Sequence, residues 1–415
     1  MKFFTIEGIS KKYIAGVFAL KIFAGFVMFM MYSYYYDRTT ADIFRFFDDA
    51  KVIYNVAFEK PWDYIRFVTG IGTNAPELWT YILKMSNWDM SFTNNVYGDS
   101  HILIQLNALI MLFSFGNYFV HTIFLCFISL LGLTAIFKFF YPFLQNKKWE
   151  LFFIVFLIPS VVFWGSGVLK EGLLFFEIGF LIYFFKSLIN KERIFKSIVW
   201  IIIVVFLLFK TKFFVIALLI PLIISYFWTT KTAQKYTALK YLIVITLFLI
   251  IGLNLHLIFP NYNFLELISR KQANFISLAI ENQSGSLLTT TAIEPDFWSM
   301  TKAIPVSLYH SLFRPHLFEA NSILMKFSSI ENLFVIVAII LSLIFIKIKG
   351  IDKSSFYFSL TFAICTLIII GFTPVIGAIV RYKVIALPFL LISFLMVFDK
   401  EKFLRRFSSS KNNNN

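Results

Sequence analysis

The sequence predicts an all-α fold, a polytopic transmembrane helical bundle of about ten spans with two long outer-face segments that contain interfacial helices. Of the 415 residues 59% are apolar and only 15% are charged, so charged surface is too scarce to cover a water-soluble particle of this size. Apolar runs of about 18 or more residues, the length that a helix needs to cross a bilayer, recur along the chain. So many runs exclude a single signal peptide as their explanation.

The predicted spans are ten apolar runs, of which the fifth is shorter than the others. The spans are predicted at residues 13–35, 117–140, 149–168, 171–189, 196–209, 213–229, 241–259, 332–349, 355–371 and 382–398. Cys126 and Cys365 both lie inside predicted spans, which leaves neither a disulfide framework nor a cysteine-rich metal site. The histidines match no zinc-binding spacing, so no zinc site is predicted.

The basic residues indicate which side of the membrane each connection occupies. With the N-terminus inside, Lys and Arg outnumber acids in the inner connections, whereas the outer segments are nearly balanced. The inner basic residues include Lys11, Lys12, Lys147, Lys148, Lys191, Arg193, Lys231, Lys235, Lys347, Lys349, Arg405 and Arg406. This asymmetry predicts a multi-pass protein of the cytoplasmic (inner) membrane with both termini cytoplasmic. It also accounts for most of the formal charge of +15, so no nucleic-acid partner is predicted.

The chain is predicted to form a single transmembrane domain over residues 1–405, followed by a disordered polar tail at 406–415. Two outer segments, 36–116 and 260–331, are too long to be simple connections, and function is expected there. Each contains an apolar stretch too short to cross comfortably, Ser100–Gly116 in the first and Asp296–Phe318 in the second. These stretches predict helices that lie at the interface or re-enter the membrane.

Four aspartates follow the first span within about a dozen residues. They are Asp37, Asp42, Asp48 and Asp49. If residues 41–58 are helical, Asp42, Arg45 and Asp49 share one face. Carboxylates grouped in this way suit a general base or a set of ligands for a divalent cation. The alternative is a solvated loop whose acids pair with Arg38 and Arg45.

Several basic residues lie where the orientation does not require them. Lys170, next to Glu171, occupies the turn between the third and fourth spans, and a charged pair at this depth is costly unless it faces a cavity or the membrane boundary. Lys210 and Lys212 lie in the next outer turn. Lysines at this level can bind the phosphate of a lipid carrier, or they can extend to ordinary anionic lipid.

Two arginines at the predicted outer face complete the candidate phosphate-binding set. Arg314 lies in the second outer segment, and Arg381 directly precedes the last span after a turn that contains Gly and Pro. The planar guanidinium of either residue can bind phosphate or pair with an acid of the first segment.

Three features resemble the GT-C superfamily of membrane glycosyltransferases. These are the aspartates after the first span, the PSVVFWGSGVLKE segment and the late RYKVIALP segment, whose Arg-Tyr with a following Pro resembles bacterial mannosyltransferase-like members. The stretch LFRPHLFEANSILMKFSSIEN is similar to uncharacterised polytopic bacterial membrane proteins close to this superfamily or to polysaccharide polymerases. The features cover a minority of the chain. The aspartates after the first span are also more widely spread than the compact acidic pair that is usual in the superfamily.

The resemblance implies transfer of a sugar from a polyprenyl-phosphate or polyprenyl-diphosphate donor at the outer face of the membrane. It implies that an acid of the first segment is the catalytic base, which nominates Asp48 or Asp42, with Asp37 as an alternative and Asp49 beside them. A second acid would have to be Glu171. Lys170, Lys210, Lys212, Arg314 and Arg381 would neutralise the lipid phosphate. The expected partners are a polyprenyl-linked sugar donor and membrane lipid, with a divalent cation, Mg²⁺ or Mn²⁺, as an optional cofactor.

Two other functions remain open on the sequence. A polysaccharide polymerase of the O-antigen or exopolysaccharide type would depend on the outer Arg and Lys residues rather than on the aspartates. A transporter or flippase of lipid-linked oligosaccharide would place ionisable residues near the middle of the membrane, and Lys21 and Glu177 are the residues of that kind.

Overall fold

The computed structural model describes residues 2–88, 99–260, 263–281, 284–288 and 292–412, with side chains up to residue 406. In these ranges the chain is helical, and its extended pairing is limited to isolated bridges. The chain forms two compact units, which we call unit 1 (Met1–Phe139 and Val155–Ile216) and unit 2 (Phe140–Ile154 and Ala217–Asn415). The all-α prediction is confirmed for the described residues.

Nineteen α-helices are found in the described ranges. The first ten are α1 (Lys11–Tyr34), α2 (Asp42–Glu59), α3 (Pro61–Thr69), α4 (Trp79–Ile82), α5 (His101–Ser114), α6 (Tyr118–Phe140), α7 (Lys148–Phe156), α8 (Pro159–Trp164), α9 (Lys170–Ile189) and α10 (Ile194–Thr211). The others are α11 (Phe213–Lys231), α12 (Thr237–Asn254), α13 (Phe264–Glu281), α14 (Phe297–Phe313), α15 (Ile323–Ile344), α16 (Lys353–Gly371), α17 (Ile376–Tyr382), α18 (Leu387–Val397) and α19 (Lys400–Asn412).

Eight of the described helices are long and apolar enough to cross a membrane, which makes the chain a multi-pass α-helical membrane protein. A ninth crossing is possible if Ile376–Ile385 and Leu387–Val397, which meet at an angle of 56°, form one bent span. The third predicted span is instead divided into α7 and α8, because Pro159 begins a new helix after a break. Neither piece is long enough to cross by itself.

The short apolar stretches of the two long segments are helical. The first forms α5, and the second forms α14, which is followed by a short 3₁₀ turn at Leu317–Glu319. At the C-terminal end, α19 continues to Asn412, whereas the sequence predicts a disordered tail from residue 406.

Close backbone contact holds the core of unit 1 together. A Cβ atom on Gly132 of α6 would lie 2.2 Å from the carbonyl oxygen of Phe175, and a Cβ atom on Gly179 of α9 would lie 2.2 Å from the carbonyl oxygen of Gly132. Only glycine permits such an approach between helix backbones. This contact fixes α9, and therefore the position of Lys170 at its N-terminus.

The core of unit 2 is formed by α14, α15, α16 and α18. The rings of Phe362 and Phe389 are buried and lie 4.7 Å apart between centroids. Lys147 donates hydrogen bonds to the carbonyl oxygens of Leu395, at 2.8 Å, and Phe398. These bonds give the carbonyl groups at the C-terminal end of α18, where the helix no longer continues, a side-chain donor.

Candidate functional site

The candidate site in unit 1 is built on α2, the helix that carries three of the four predicted aspartates. The helix is amphipathic, with Phe44, Phe46, Phe47 and Ile53 buried. Asp42 lies in the first turn, where a negative charge interacts favourably with the helix dipole. The predicted helix is therefore confirmed to within one residue at each end.

Asp37 and Asp48 lie at the exposed edge of this helix. Asp37 caps a 3₁₀ turn by accepting hydrogen bonds from the backbone N–H and the hydroxyl of Thr39, at 2.9 and 2.8 Å, and these bonds lower the pKa of its carboxyl. Asp48 pairs with Arg38 at 3.3 Å, and the side chain of Asp48 is 44% exposed. The Arg38 guanidinium also lies 4.6 Å above the ring of Phe44. Asp37 is therefore a weak base, and Asp48 is an accessible carboxylate.

Asp49 is buried and fastens a distant segment to α2. One of its oxygens accepts from the N–H of Ser86 at 2.8 Å, and the other accepts from the N–H of Asn87 at 2.7 Å. Burial raises the pKa of the Asp49 carboxyl, and these two hydrogen bonds oppose that rise, as does the charge of Arg45. The Nε atom of Arg45 is itself buried and makes no hydrogen bond within the described ranges. Asp49 thus serves the structure of the segment, while Arg45 retains an unused donor.

Lys170 is the first residue of α9 and lies against three elements of unit 1. It is buried, and its ammonium nitrogen is 3.0 Å from the Asp99 carboxylate and 3.4 Å from the Ser100 hydroxyl. The same nitrogen lies 5.5 Å from the ring centre of Phe46 on α2. The structure therefore brings the first acidic segment and the turn before the fourth span together, as the hypothesis of a shared site requires.

Lys210 lies in the last turn of α10, which packs against α5, and its charge acts on His101. Burial lowers the pKa of His101, and the charges of Lys210 and Lys170 lower it further, whereas the carbonyl of Trp88 and the charge of Asp99 raise it. The imidazole is therefore neutral at physiological pH. It stacks on the indole of Trp88 at 4.1 Å.

Two helix N-termini meet in this cluster, which we call the lysine cluster (Asp99, Ser100, His101, Lys170 and Lys210). The N-cap residues of α5 and α9 make no side-chain capping hydrogen bond, so the first N–H groups of both helices are not satisfied by a capping side chain. Helix N-termini and lysines both attract anions. The arrangement can bind a phosphate group, with Asp99 as the present counter-charge of Lys170.

Helical geometry places Asp42 on the side of α2 that approaches the lysine cluster. Asp42, Phe46 and Asp49 are separated by four and three residues, so they share one face, and Phe46 lies against Lys170. Asp48 is turned by roughly 120° from Asp42 around the helix axis. Asp42 is half-buried and also has a polar interaction of its own.

Two other predicted site residues, Glu171 and Lys212, also lie in unit 1. Glu171 lies in the first turn of α9 and is 1% exposed. Lys212 follows α10, and its ammonium lies 5.8 Å from the ring of Phe214. Trp88 and Trp164 are buried inside the protein.

Unit 2 contains a second polar cluster, which includes Arg314. Arg314 pairs with Glu319 at 3.1 Å, and its Nε atom is buried without a hydrogen bond in the described ranges. Lys383, at the bend between α17 and α18, donates to the side-chain oxygen of Asn332 at 2.6 Å and to the carbonyl of Arg314 at 3.3 Å. Arg381 lies two residues before Lys383, with its guanidinium 5.8 Å from the ring of Tyr382.

Sequence reasoning did not nominate Asp99, Arg45 or Lys383 for a site. Asp99 looked like an ordinary residue of an outer segment, and Lys383 lay inside a predicted span. The charge of Lys383 within an apolar run was the available signal. Within the described ranges, no group of three or more His, Cys, Asp or Glu side chains is arranged to hold a metal ion.

Comparison with known proteins adds no further constraint. No protein-family model, no curated protein and no solved structure matches this chain.

Proposed function

We propose that this chain transfers a sugar from a polyprenyl-linked donor to an outer-face acceptor during cell-envelope glycan assembly. The observation that carries the proposal is the position of Lys170, the first residue of α9, whose ammonium contacts Asp99 and Ser100 at the N-terminus of α5 and lies against Phe46 of α2. The charge of Lys210 acts on the same cluster through His101. In this proposal the chain crosses the cytoplasmic membrane ten times, with α7 and α8 as a broken third span. Both termini are cytoplasmic, and both long segments face outward.

The lysine cluster would bind the phosphate of the lipid carrier. Lys170 is buried, so its interaction with a phosphate is screened less than that of an exposed lysine. Phosphate would replace Asp99 as the counter-charge, and the N–H groups at the start of α5 and α9 would donate to its oxygens. Stabilising the leaving phosphate in this way lowers the barrier to sugar transfer.

Asp42 is the acid of α2 best placed to act as the base. It shares a face with Phe46, whose ring lies against Lys170. The base takes the proton of an acceptor hydroxyl, the hydroxyl oxygen bonds to the anomeric carbon, and the bond from that carbon to the phosphate oxygen breaks. Asp48 is the second candidate, since it is exposed beside Arg38, whereas Asp37 and Asp49 are occupied by hydrogen bonds to Thr39, Ser86 and Asn87.

Transfer of radiolabelled sugar from a panel of polyprenyl-linked donors, by purified protein in liposomes, tests the proposal. We expect Asp42→Asn to lower the rate by about 10²–10⁴-fold, the usual contribution of a general base. Lys170→Met should also lower the rate, because the leaving phosphate loses its buried cation. The matched control is Glu59→Gln at the exposed end of the same helix, which should transfer at the wild-type rate. Wild-type rates in both site variants, or no transfer from any donor, would overturn the proposal.

A second candidate function is polymerisation of lipid-linked oligosaccharide, and the polar cluster of unit 2 favours it. Lys383 donates to the backbone carbonyl of Arg314 at a bend between apolar helices, and the buried Nε of Arg314 makes no hydrogen bond to a described residue. A polymerase would lengthen lipid-linked oligosaccharide in the same liposomes. That activity would be lost in Arg314→Gln and retained in Asp42→Asn, which is the reverse of the pattern expected for the first function.

A further inference from the structure

Three polar residues at the junction of α5 and α6 form a continuous hydrogen-bonded relay. His121 Nδ1 lies 2.7 Å from the Asn107 side-chain oxygen, and His121 Nε2 lies 2.7 Å from the Ser114 hydroxyl. All three residues are buried. Their order, serine, imidazole and amide, is the order of nucleophile, base and orienting group in enzymes that form covalent acyl intermediates.

The amide of Asn107 determines which imidazole nitrogen carries the proton. Its nitrogen donates to the carbonyl of Leu103 at 2.7 Å, so its oxygen is the atom that faces His121. An amide oxygen only accepts hydrogen bonds, and His121 Nδ1 must therefore carry the proton. Nε2 is left with its lone pair and accepts from the Ser114 hydroxyl. This tautomer is the one that a base needs to activate a serine.

The turn after Ser114 provides space and a hydrogen-bond donor. Phe115 has a φ of 49° and Gly116 has a φ of 78°, so the chain turns sharply directly after the serine. Apart from its chain neighbours, no described residue has an atom within 4 Å of the position that a Cβ atom on Gly116 would occupy. The Gly116 N–H makes no hydrogen bond to any described residue. A carbonyl oxygen that enters this space would meet a free donor.

The surroundings of the turn favour an apolar substrate. Phe113 and Phe115, on either side of Ser114 in sequence, are 72% and 82% exposed. Exposed aromatic rings beside a helix of this hydrophobicity fit an acyl chain that lies in or on the membrane.

We propose that Ser114 is a nucleophile that accepts an acyl group from a lipid ester, with His121 as its base and Asn107 as the residue that positions His121. The Ser114 oxygen bonds to the acyl carbon as its proton passes to His121 Nε2. The bond from the acyl carbon to the lipid alcohol oxygen breaks, and that alcohol leaves with the proton from His121. Water or a sugar hydroxyl then releases the acyl group by the same steps in reverse. This activity is independent of the sugar transfer proposed above.

Labelling of the full chain in detergent micelles with a fluorophosphonate tests the proposal, because this probe phosphonylates activated serines with loss of fluoride. Mass spectrometry of the digested protein should place the adduct on Ser114. His121→Gln should lower the labelling rate at least tenfold, and Ser114→Ala should abolish labelling at this position. Ser187→Ala is the matched control, since its hydroxyl donates only to a carbonyl, and it should label as the wild type does. The absence of an adduct on Ser114 in folded wild type, or equal labelling in His121→Gln, would overturn the proposal.

A second variant keeps the test valid if Ser114→Ala or His121→Gln fails to fold. Ser114→Cys retains a side chain that can pair with His121, and a thiol beside an imidazole reacts faster because more of it is thiolate. Iodoacetamide should alkylate this position at least tenfold faster than the thiol of Ser187→Cys. Equal or slower alkylation would show that His121 does not activate the residue.

Discussion

Asp49 has a structural role that its neighbours on α2 do not share. Both of its oxygens accept from backbone N–H groups, so Asp49→Asn places an amide NH₂ against one of those donors. We expect this variant to lose about 1–3 kcal/mol of unfolding free energy, the usual cost of a buried group left unsatisfied. Asp48→Asn removes an exposed ion pair and should cost about 0–1 kcal/mol. Chemical unfolding in mixed micelles measures both values, and equal losses would show that the Asp49 contacts do not hold Ser86 and Asn87 in place.

The raised pKa of Asp49 gives this position a defined pH dependence. In the folded state the carboxyl binds its proton at a higher pH than in the unfolded state, where its usual pKa is 3.8. Protonation therefore favours folding, and this contribution is fully present below pH 3.8 and lost as the pH rises through the folded-state pKa. The stability of wild type relative to Asp49→Asn should increase on acidification through that range. A difference that stays constant between pH 7 and pH 3.5 would contradict the assignment.

His101 reports on the lysine cluster directly. Because the ammonium of Lys210 lowers the pKa of His101, we expect Lys210→Ala to raise that pKa. Lys212→Ala, which removes a lysine two residues away, should leave the pKa unchanged. Inorganic phosphate bound to the cluster should also raise the pKa, because an anion stabilises the imidazolium. An NMR titration of labelled histidine measures these pKa shifts. If the pKa of His101 changes in Lys212→Ala but not in Lys210→Ala, Lys212 rather than Lys210 lies near His101.

At the scale of helices, the local spacing of residues indicates where a helix forms, but it does not indicate which distant residues that helix contacts. The spacing of Asp42, Arg45 and Asp49 by three and four residues suited a helix over residues 41–58, and α2 occupies Asp42–Glu59. The same pattern could not distinguish the roles of Asp42 and Asp49, because Ser86 and Asn87 approach Asp49 from a distant part of the chain. Site roles depend on such pairings, which one sequence does not encode locally.

The backbone contact between α6 and α9 yields a prediction for whole helices. Gly179→Ala would place a Cβ atom 2.2 Å from the carbonyl oxygen of Gly132, so the two helices must separate. We expect a loss of about 1–3 kcal/mol or more from this overpacking. Gly16→Ala in α1 is the control, because its Cβ atom would meet no other described part of the chain within 4 Å, and it should be neutral or slightly stabilising. Thermal melting in detergent compares the two, and similar melting temperatures would show that α6 and α9 are not in contact at these glycines.

At the scale of the whole molecule, composition determined the class of protein but not the number of crossings. Scarcity of charge forces the helices into lipid whatever their order, so the membrane assignment needed no contact information. The count depends instead on breaks such as those before Pro159 and between α17 and α18, where an apolar run divides into pieces shorter than a bilayer. Hydropathy averages over such breaks, and an independent measurement of sidedness is therefore needed.

The positive-inside distribution predicts which positions face outward. Ile71 and Phe318 lie in the two long segments and are 74% and 101% exposed, so Ile71→Cys and Phe318→Cys should both react with a membrane-impermeant maleimide in intact cells. Lys349→Cys, in the basic connection after α15, should react only after permeabilisation. The native Cys126 and Cys365 lie in apolar helices, and wild type measures their background. The reverse pattern would invert the orientation and remove the lysine cluster from the outer face. Labelling of only one long segment would instead mean that an odd number of crossings separates them, so the ten-span topology would be wrong while the contacts of unit 1 would stand.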